Sequence, residues 1–305
     1  MASWLAYFLS WSHWLWTKTH FTTPDGLRQH VAKTREDPPD HKPPLSFHSR
    51  FIVEERRVDG GYPVYDISPK SEKPSRVRIL YVHGGSFLFE ISSNHWTLIA
   101  LLVERLHARI TVPIYPLAPE KKLNDQLAML QPIYDDMMVA SSGDDTPVIA
   151  AGDSAGSCLI LALTQEALQE GKSVAAGLML ITPVVDVTLR NEESHKLSPR
   201  DPSLDIVGLD ESIQLARGDR SVYDPRASPL LGEVDRLPPM MVLTAENDLL
   251  GPDARLFVDK ARAAGRDVTH VEGKGMMHVW PLELPHHDGK EAIDRMVHWI
   301  EGFKE

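Results

Sequence analysis

The stretch "VIAAGDSAGS", residues 148–157, decides the fold of this chain. A run of small and β-branched residues leads into a Gly-x-Ser-x-Gly pattern, and residues 158–170 continue with apolar side chains at helical spacing. This order predicts a strand, a sharp turn and a helix, with Ser154 on the turn. Glycine at positions 152 and 156 leaves room for a strained serine backbone. The pattern is typical of a nucleophile whose hydroxyl projects from a sheet edge, although an ordinary serine-containing turn also fits it.

The composition of the 305 residues limits the classes of function. Hydrophobic residues make up 42% and charged residues 25%, so a packed globular core is expected. The net charge of -11 argues against nucleic acid and anionic membrane surfaces as partners. Cys158 is the single cysteine, which excludes an intrachain disulfide framework. We therefore expect a cytoplasmic protein in which this thiol is a buried, small apolar residue.

Eight strands are predicted, and helices alternate with the later ones. The strands are expected at residues 47–58, 62–67, 77–82, 109–115, in the run that starts at 148, and at 175–183, 240–245 and 267–272. The helices are expected at residues 94–106, 124–140, 158–170, 252–264 and 289–303. Alternation of this kind implies an α/β fold with a mostly parallel sheet that is covered by helices on both faces.

Two segments depart from this alternation. Residues 186–231 contain charges, prolines and short apolar pieces, which is typical of a lid or a binding insertion. Residues 1–21 carry Trp4, Phe8 and Trp11 at helical spacing. Three interpretations of this segment stay open: a helix over the mouth of a site, a helix on a membrane surface, or a cleaved or spanning segment. We divide the chain into N-terminal cap helices (1–45), a core (46–186), a cap insertion (187–227) and the rest of the core (228–305).

A nucleophilic serine needs a base, an acid that orients the base, and donors for the oxyanion that develops during the reaction. In a sheet of this kind the acid and the base follow the serine, each just after a strand. Asp248 comes directly after the strand at 240–245 and is the predicted acid. Glu246 is too close to that strand, and Asp253 is better placed to begin the next helix.

The chain contains 14 histidines, so their positions must decide among them. His278 follows the last predicted strand, from which a base can reach back to the serine, and it is the predicted base. The other late histidines are less well placed. His270 falls inside a strand, His298 falls inside the last helix, and residues 286–287 lie in a polar stretch before that helix.

The oxyanion donors are predicted from "YVHGGSF", residues 81–87. A strand that ends at His83 leaves the N–H groups of Gly84 and Gly85 open to a substrate, because no side chain intervenes. The N–H of Ala155, which follows the nucleophile, is the third predicted donor. His83 itself precedes the glycines, so we expect it to brace the loop rather than to act as a base.

Together these motifs resemble the hormone-sensitive lipase family of α/β-hydrolases, the HGG esterases of the α/β-hydrolase fold-3 group. The matching stretches are "HGGS" at 83, "YPLAPE" at 115, "GDSAG" at 152, "DPRASPLLG" at 224, and the loops of Asp248 and His278. They span residues 45–303. The resemblance implies an α/β-hydrolase fold with an eight-stranded sheet, and a helical cap built from the N-terminal helices and the insertion.

Two positions depart from the pattern of that family. Ser86 stands where the family has a third glycine, and Pro116 stands where it has arginine. The first change leaves the two glycine amides usable. The second removes a charge that braces the neighbouring loop, so the geometry of this loop stays open while the chemistry is unaffected.

The resemblance implies a serine carboxylic ester hydrolase for small or medium acyl groups. Ser154 would attack the acyl carbonyl, His278 would move the proton, and Asp248 would hold the imidazole. Water would then hydrolyse the acyl-enzyme, and no metal or organic cofactor is needed. The expected partner is a small-molecule ester or lactone.

Several alternatives stay open at this point. A lactone hydrolase uses the same residues with a tethered leaving group, and part of the chain looks similar to members that act on small esters and lactones. A lipase or lipid deacetylase would contact a membrane through residues 1–21. A ligand-binding protein on this fold is disfavoured because His278 is present. Pairing of two copies through the edge strand near Val268 is a further hypothesis.

Overall fold

The computed structural model describes residues 18–70, 77–144, 146–282 and 287–304. The strands are β1 (Phe51–Arg57), β2 (Pro63–Pro69), β3 (Arg78–Val82), β4 (Arg109–Pro113), β5 (Val148–Asp153), β6 (Gly177–Ile181), β7 (Met240–Asn247) and β8 (Val268–Met277). They form one sheet in the order β1-β2-β4-β3-β5-β6-β7-β8. β2 pairs antiparallel with both of its neighbours, and the other pairs are parallel. The predicted α/β fold with a mostly parallel eight-stranded sheet is confirmed.

The described ranges contain ten α-helices. They are α1 (Thr19–Phe21), α2 (Pro24–Glu36), α3 (Ser46–Arg50), α4 (Ser93–Leu106), α5 (Leu123–Asp144), α6 (Ala155–Gln169), α7 (Glu192–Leu197), α8 (Ile206–Arg217), α9 (Gly251–Ala263) and α10 (His287–Glu301). None of the helices within these ranges has both the length and the apolar character to span a membrane.

The sheet has an apolar core on each face, because its central strands are buried on both sides. In β3 the side chains alternate between the two cores. Ile79 and Tyr81 join the core that includes α4 and α10, whereas Leu80 and Val82 join the core that includes α5 and α6. Cys158 is buried in the second core, as predicted, and burial raises the pKa of its thiol to about 12.

The first strand is shorter than predicted. Ser46–Arg50 forms a helical turn, and the strand begins at Phe51. Phe47 was expected in the strand because aromatic residues favour strands, but it contacts the rings of Phe51 and Trp96 edge to face from the helical turn. Its burial therefore does not require an extended backbone.

The last strand is longer than predicted, and its additional residues position the site. β7 and β8 pair beyond an irregularity between Ala245 and Asn247, until Asn247 lies opposite Met277. The residues that follow this last pair are Asp248 and His278. Both side chains therefore leave the sheet at the same edge and at the same level.

The segment before β1 packs on the insertion between β6 and β7. Arg28 of α2 forms an ion pair with Glu211 of α8, with 2.8 Å between Nε and Oε1. Gly208 of α8 lies so close to the backbone of Phe21 that an added Cβ atom would be 2.4 Å from its carbonyl oxygen. Residues 1–17, the larger part of the helix predicted for residues 1–21, lie outside the described residues.

Candidate active site

Ser154 lies at the sharp turn between β5 and α6, with φ 48° and ψ -118°. This left-handed backbone is costly for a residue with a side chain, and it is typical of functional sites. The flanking positions require glycine, because the neighbouring backbone leaves no room for a Cβ atom. A Cβ atom on Gly152 would lie 2.7 Å from the carbonyl carbon of Gly156, and one on Gly156 would lie 2.0 Å from the carbonyl oxygen of Val82. The strained turn predicted from the Gly-x-Ser-x-Gly pattern is present.

Ser154, His278 and Asp248 form a continuous chain of hydrogen bonds. His278 Nε2 lies 2.9 Å from Ser154 Oγ, and His278 Nδ1 lies 2.8 Å from Asp248 Oδ2. The carboxylate of Asp248 accepts from Nδ1–H, so Nε2 is left to accept from the serine hydroxyl. All three side chains are buried. The geometry is that of a nucleophile, a general base and an orienting acid.

The other candidate acids have different partners. Glu246 accepts a hydrogen bond from the N–H of Gly275, and Asp253 accepts one from Asn191 of the insertion. Neither forms a hydrogen bond with His278.

The other candidate bases lie elsewhere. His270 pairs with Thr244 at 2.8 Å, and His298 is exposed on α10. His287 begins α10, and residue 286 lies outside the described residues.

Negative charge surrounds the imidazole of His278. Burial lowers its pKa, but the nearby charge of Asp248 and the hydrogen bond to it act in the opposite direction. Asp201 and Asp153 add to this effect, and the net result is a raised pKa. The site therefore favours the imidazolium that forms when the base takes a proton.

The N–H of Gly84 is already used, which corrects the prediction that it is an oxyanion donor. It donates to Asp153 Oδ1 at 3.0 Å, and a Cβ atom at this position would lie 2.2 Å from the other oxygen of that carboxylate. Position 84 therefore requires glycine, because its backbone lies too close to Asp153 for a side chain. The close approach was predicted, but its partner is a protein side chain rather than a substrate.

The N–H groups of Gly85 and Ser86 have no hydrogen-bond partner among the described residues. Both residues have positive φ, 111° and 55°. Ala155 is the first residue of α6, where an N–H has no partner within the helix. Gly85, Ser86 and Ala155 therefore provide the available amides. Sequence reasoning missed Ser86, because a serine in place of the family's third glycine gives no local signal that its N–H is free.

His83 braces this loop. Its ring stacks on Tyr115 with 4.5 Å between the centroids, and its Nδ1 lies 2.7 Å from the carbonyl oxygen of Gly84. The hydroxyl of Tyr115 donates to the carbonyl oxygen of His83 at 2.9 Å. Burial lowers the pKa of His83 to about 3, so the ring stays neutral and is not placed as a base.

A cation from the N-terminal segment lies at the loop that contains Pro116. Arg35 of α2 donates from Nη2 to the carbonyl oxygens of Leu88 and Ala118, at 2.8 and 2.6 Å. Arg35 thus joins the loop that begins at His83 to the loop in which Pro116 stands in place of the family's arginine. Sequence reasoning missed Arg35, because nothing in the local sequence of α2 signals contacts with residues 53 and 83 positions further along the chain.

A cleft of about 280 Å³ opens at Ser154 and His278. Its apolar wall consists of Phe21, Phe89, Leu204, Val279 and Leu282. Its polar wall includes Ser86, Ser92, Asn94, His95, Asp153 and Ser203. Phe21, Ser203 and Leu204 belong to the two segments predicted to form a cap. The site therefore combines residues of the sheet edge with residues of both segments.

Comparison with known proteins places the chain in a family. The sequence model of the alpha/beta hydrolase fold family matches residues 79–282. An esterase from Acinetobacter venetianus is 30% identical over 196 residues, which cover 64% of each chain. A triacylglycerol lipase from Mycobacterium tuberculosis is 28% identical over 225 residues, 74% of this chain and 46% of the lipase. The matched regions thus span less than two thirds of these relatives.

Solved structures share the whole architecture. A crystal structure of an esterase from the bacterial hormone-sensitive lipase family has 24% identity, a TM-score of 0.82 and full coverage of both chains. A hormone-sensitive lipase from a metagenome library has 24% identity and a TM-score of 0.76, with 92% of this chain and 98% of that chain covered. The chain therefore belongs to the α/β hydrolase fold family, as its resemblance to the hormone-sensitive lipase esterases predicted.

Proposed function

We propose that this chain is a carboxylic ester hydrolase that works through an acyl-enzyme on Ser154. The hydrogen-bonded chain from Ser154 through His278 to Asp248 carries this proposal, because it joins a strained serine, a base and a buried carboxylate. The names of the relatives, which include esterases, lipases and an acetyl-hydrolase, support the same class of reaction.

In the first step Ser154 Oγ attacks the acyl carbonyl while His278 Nε2 takes its proton. Asp248 holds Nδ1–H, which keeps Nε2 free to accept, and its charge stabilises the imidazolium. The proton then passes from Nε2 to the leaving alkoxide, and the acyl group stays on Ser154. Water attacks the acyl-enzyme by the same route and regenerates the serine.

The carbonyl oxygen becomes negatively charged during both steps. We assign its stabilisation to the amides of Gly85, Ser86 and Ala155, which have no partner among the described residues. Ala155 follows the nucleophile, and the other two residues line the same cleft. One such donor contributes roughly 3 kcal/mol to lowering the barrier. Gly84 takes an indirect part, because its bond to Asp153 holds the loop on the strand that ends at the nucleophile.

The size of the cleft favours small substrates. Its volume of about 280 Å³ is close to the lower end of the range for small-molecule sites. Short or medium acyl esters and lactones of similar size remain candidates, since a lactone differs only in its tethered leaving group. A lid made of residues 1–45 and the insertion, membrane contact through residues 1–21, and pairing through β8 remain predictions from the sequence.

The proposal is tested with p-nitrophenyl esters that run from acetyl to long acyl chains. We expect kcat/KM of the wild type to peak at short acyl chains and to vanish for Ser154→Ala. Ser157→Ala is the matched control, because Ser157 lies one helical turn away and its hydroxyl bonds to the carbonyl of Gly152. Equal turnover by wild type and Ser154→Ala, or no turnover by a folded wild type, would contradict the proposal.

A further inference from the structure

The insertion between β6 and β7 sends a short loop, residues 201–204, into the cleft. The carboxylate of Asp201 shapes this loop, because its Oδ1 accepts from the N–H groups of Ser203 and Leu204 at 2.8 and 2.9 Å. The side chains of Ser203 and Leu204 then form part of the cleft wall.

The loop is anchored to the loop of the predicted acid. Asp201 Oδ2 accepts from the N–H of Leu249 at 2.8 Å, and Leu249 follows Asp248 directly. On the other side, Lys18 Nζ donates to the carbonyl oxygen of Asp201 at 2.7 Å. Asp201 is completely buried, so these bonds are shielded from water. Ser203 is thus held at a defined position relative to His278.

The hydroxyl of Ser203 has no hydrogen-bond partner among the described residues, although the residue is only 6% exposed. A buried polar group without a partner is costly, and such groups are rare unless a ligand or water completes them. Ser92 on the same polar wall differs, because its hydroxyl is already bonded to His95 at 2.7 Å. A serine hydroxyl can both donate and accept a hydrogen bond, and rotation about the Cα–Cβ bond changes its direction.

We propose that Ser203 is a specificity-determining residue that forms a hydrogen bond with a second oxygen of the substrate, beside the ester that is cleaved. This inference rests on the proposed function. The substrate class is an ester or lactone with a hydroxyl or carbonyl oxygen in its acyl or its alcohol part. The rest of the cleft agrees with an oxygenated small molecule, since Ser86 and Asn94 extend the polar wall.

The test compares esters that differ by a single hydroxyl. One pair is p-nitrophenyl butyrate and p-nitrophenyl 3-hydroxybutyrate, which places the oxygen in the acyl part. The other pair is ethyl butyrate and 2-hydroxyethyl butyrate, which places it in the alcohol part. For each pair, kcat/KM is measured for the wild type, for Ser203→Ala and for a control, and the ratio within the pair is compared between proteins. Differences in intrinsic reactivity then cancel.

Ser194→Ala is the matched control. Ser194 lies in the same insertion and is also a buried serine with an unpartnered hydroxyl, but it does not line the cleft. We expect Ser203→Ala to lower the preference for the hydroxylated ester about 3- to 10-fold in one of the pairs, the size of one neutral hydrogen bond. We expect Ser194→Ala to keep the wild-type preference.

Unfolding measurements separate this role from a structural one. Removing an unsatisfied hydroxyl should leave the melting temperature of Ser203→Ala equal to that of the wild type or higher. A preference that is the same in Ser203→Ala and wild type for both pairs would overturn the proposal, while turnover of the plain esters would leave the proposed function intact. Failure of the wild type to cleave any of the four esters would instead count against the proposed function.

Discussion

Two chains of hydrogen bonds with the same residue types meet at the cleft. In the first, His278 lies 2.9 Å from Ser154 Oγ and 2.8 Å from Asp248. In the second, His95 lies 2.7 Å from Ser92 Oγ and 3.2 Å from Asp153. By residue type and distance alone, both are serine–histidine–aspartate triads.

Their surroundings differ. Ser154 has a strained backbone with φ 48° and lies beside unpaired amides, whereas Ser92 has an ordinary φ of -107° and caps the N-terminus of α4. The carboxylate of Asp153 also accepts from the hydroxyl of Tyr81 and from the N–H of Gly84. The second chain therefore braces the loop of Gly84 through its N–H. The comparison teaches that residue type and distance do not separate the two chains, whereas the backbone of the serine and its position relative to free amides do.

The largest expected difference between the two chains is at their carboxylates. Asp248→Asn should lower kcat about 10³- to 10⁴-fold, because the amide favours the wrong tautomer of His278. Asp153→Asn should lower kcat tenfold or less, since an amide oxygen still accepts from Gly84 and Tyr81. Steady-state kinetics of both variants on one short-chain ester measure the difference. Similar losses of kcat in the two variants would contradict the different roles assigned to the two carboxylates.

The free amides are tested at Gly85. An alanine there would put its Cβ atom 2.7 Å from the carbonyl oxygen of Phe89, so the loop must shift. We expect Gly85→Ala to lower kcat about 10²-fold, the effect of losing one oxyanion donor, with a smaller change in KM. Gly171→Ala is the control, because Gly171 also has positive φ but has open space around it. A Gly85→Ala variant with wild-type kcat would show that this loop does not provide an oxyanion donor.

The pH dependence of kcat/KM should report His278. The base must be neutral to take a proton, and its raised pKa keeps it protonated over a wider range than a free imidazole. Activity on an uncharged ester should therefore fall tenfold per pH unit on the acid side, with an apparent pKa above the ordinary 6.5. An acid limb below that value would contradict the assignment of negative charge around His278.

The smallest expected effect on activity is at Ser92. Ser92→Ala removes a helix cap, so it should lower the free energy of unfolding by about 1 kcal/mol, as measured by urea denaturation. Activity should stay within about twofold of the wild type, because the hydroxyl of Ser154 is untouched. A loss of activity as large as that of Ser154→Ala would show that the second chain also reacts.

The sequence by itself determined the sheet, the turn at Ser154 and the positions of Asp248 and His278 at the ends of consecutive strands. These features depend on local signals, namely apolar runs, glycines with no room for a side chain, and residues that follow a strand. The parallel arrangement then brings Ser154, Asp248 and His278 to the same edge, because the carboxyl ends of parallel strands lie together.

The tertiary structure alone decided which backbone amides stay free and which distant side chains reach the site. Gly84 is satisfied by Asp153 from a neighbouring strand, Arg35 reaches the loops from α2, and Ser203 is set by a carboxylate anchored beside Asp248. These contacts join residues far apart in the chain and have no periodic pattern. They form only when the strands have assembled into the sheet and the two segments have packed over its edge. The local sequence therefore does not predict them.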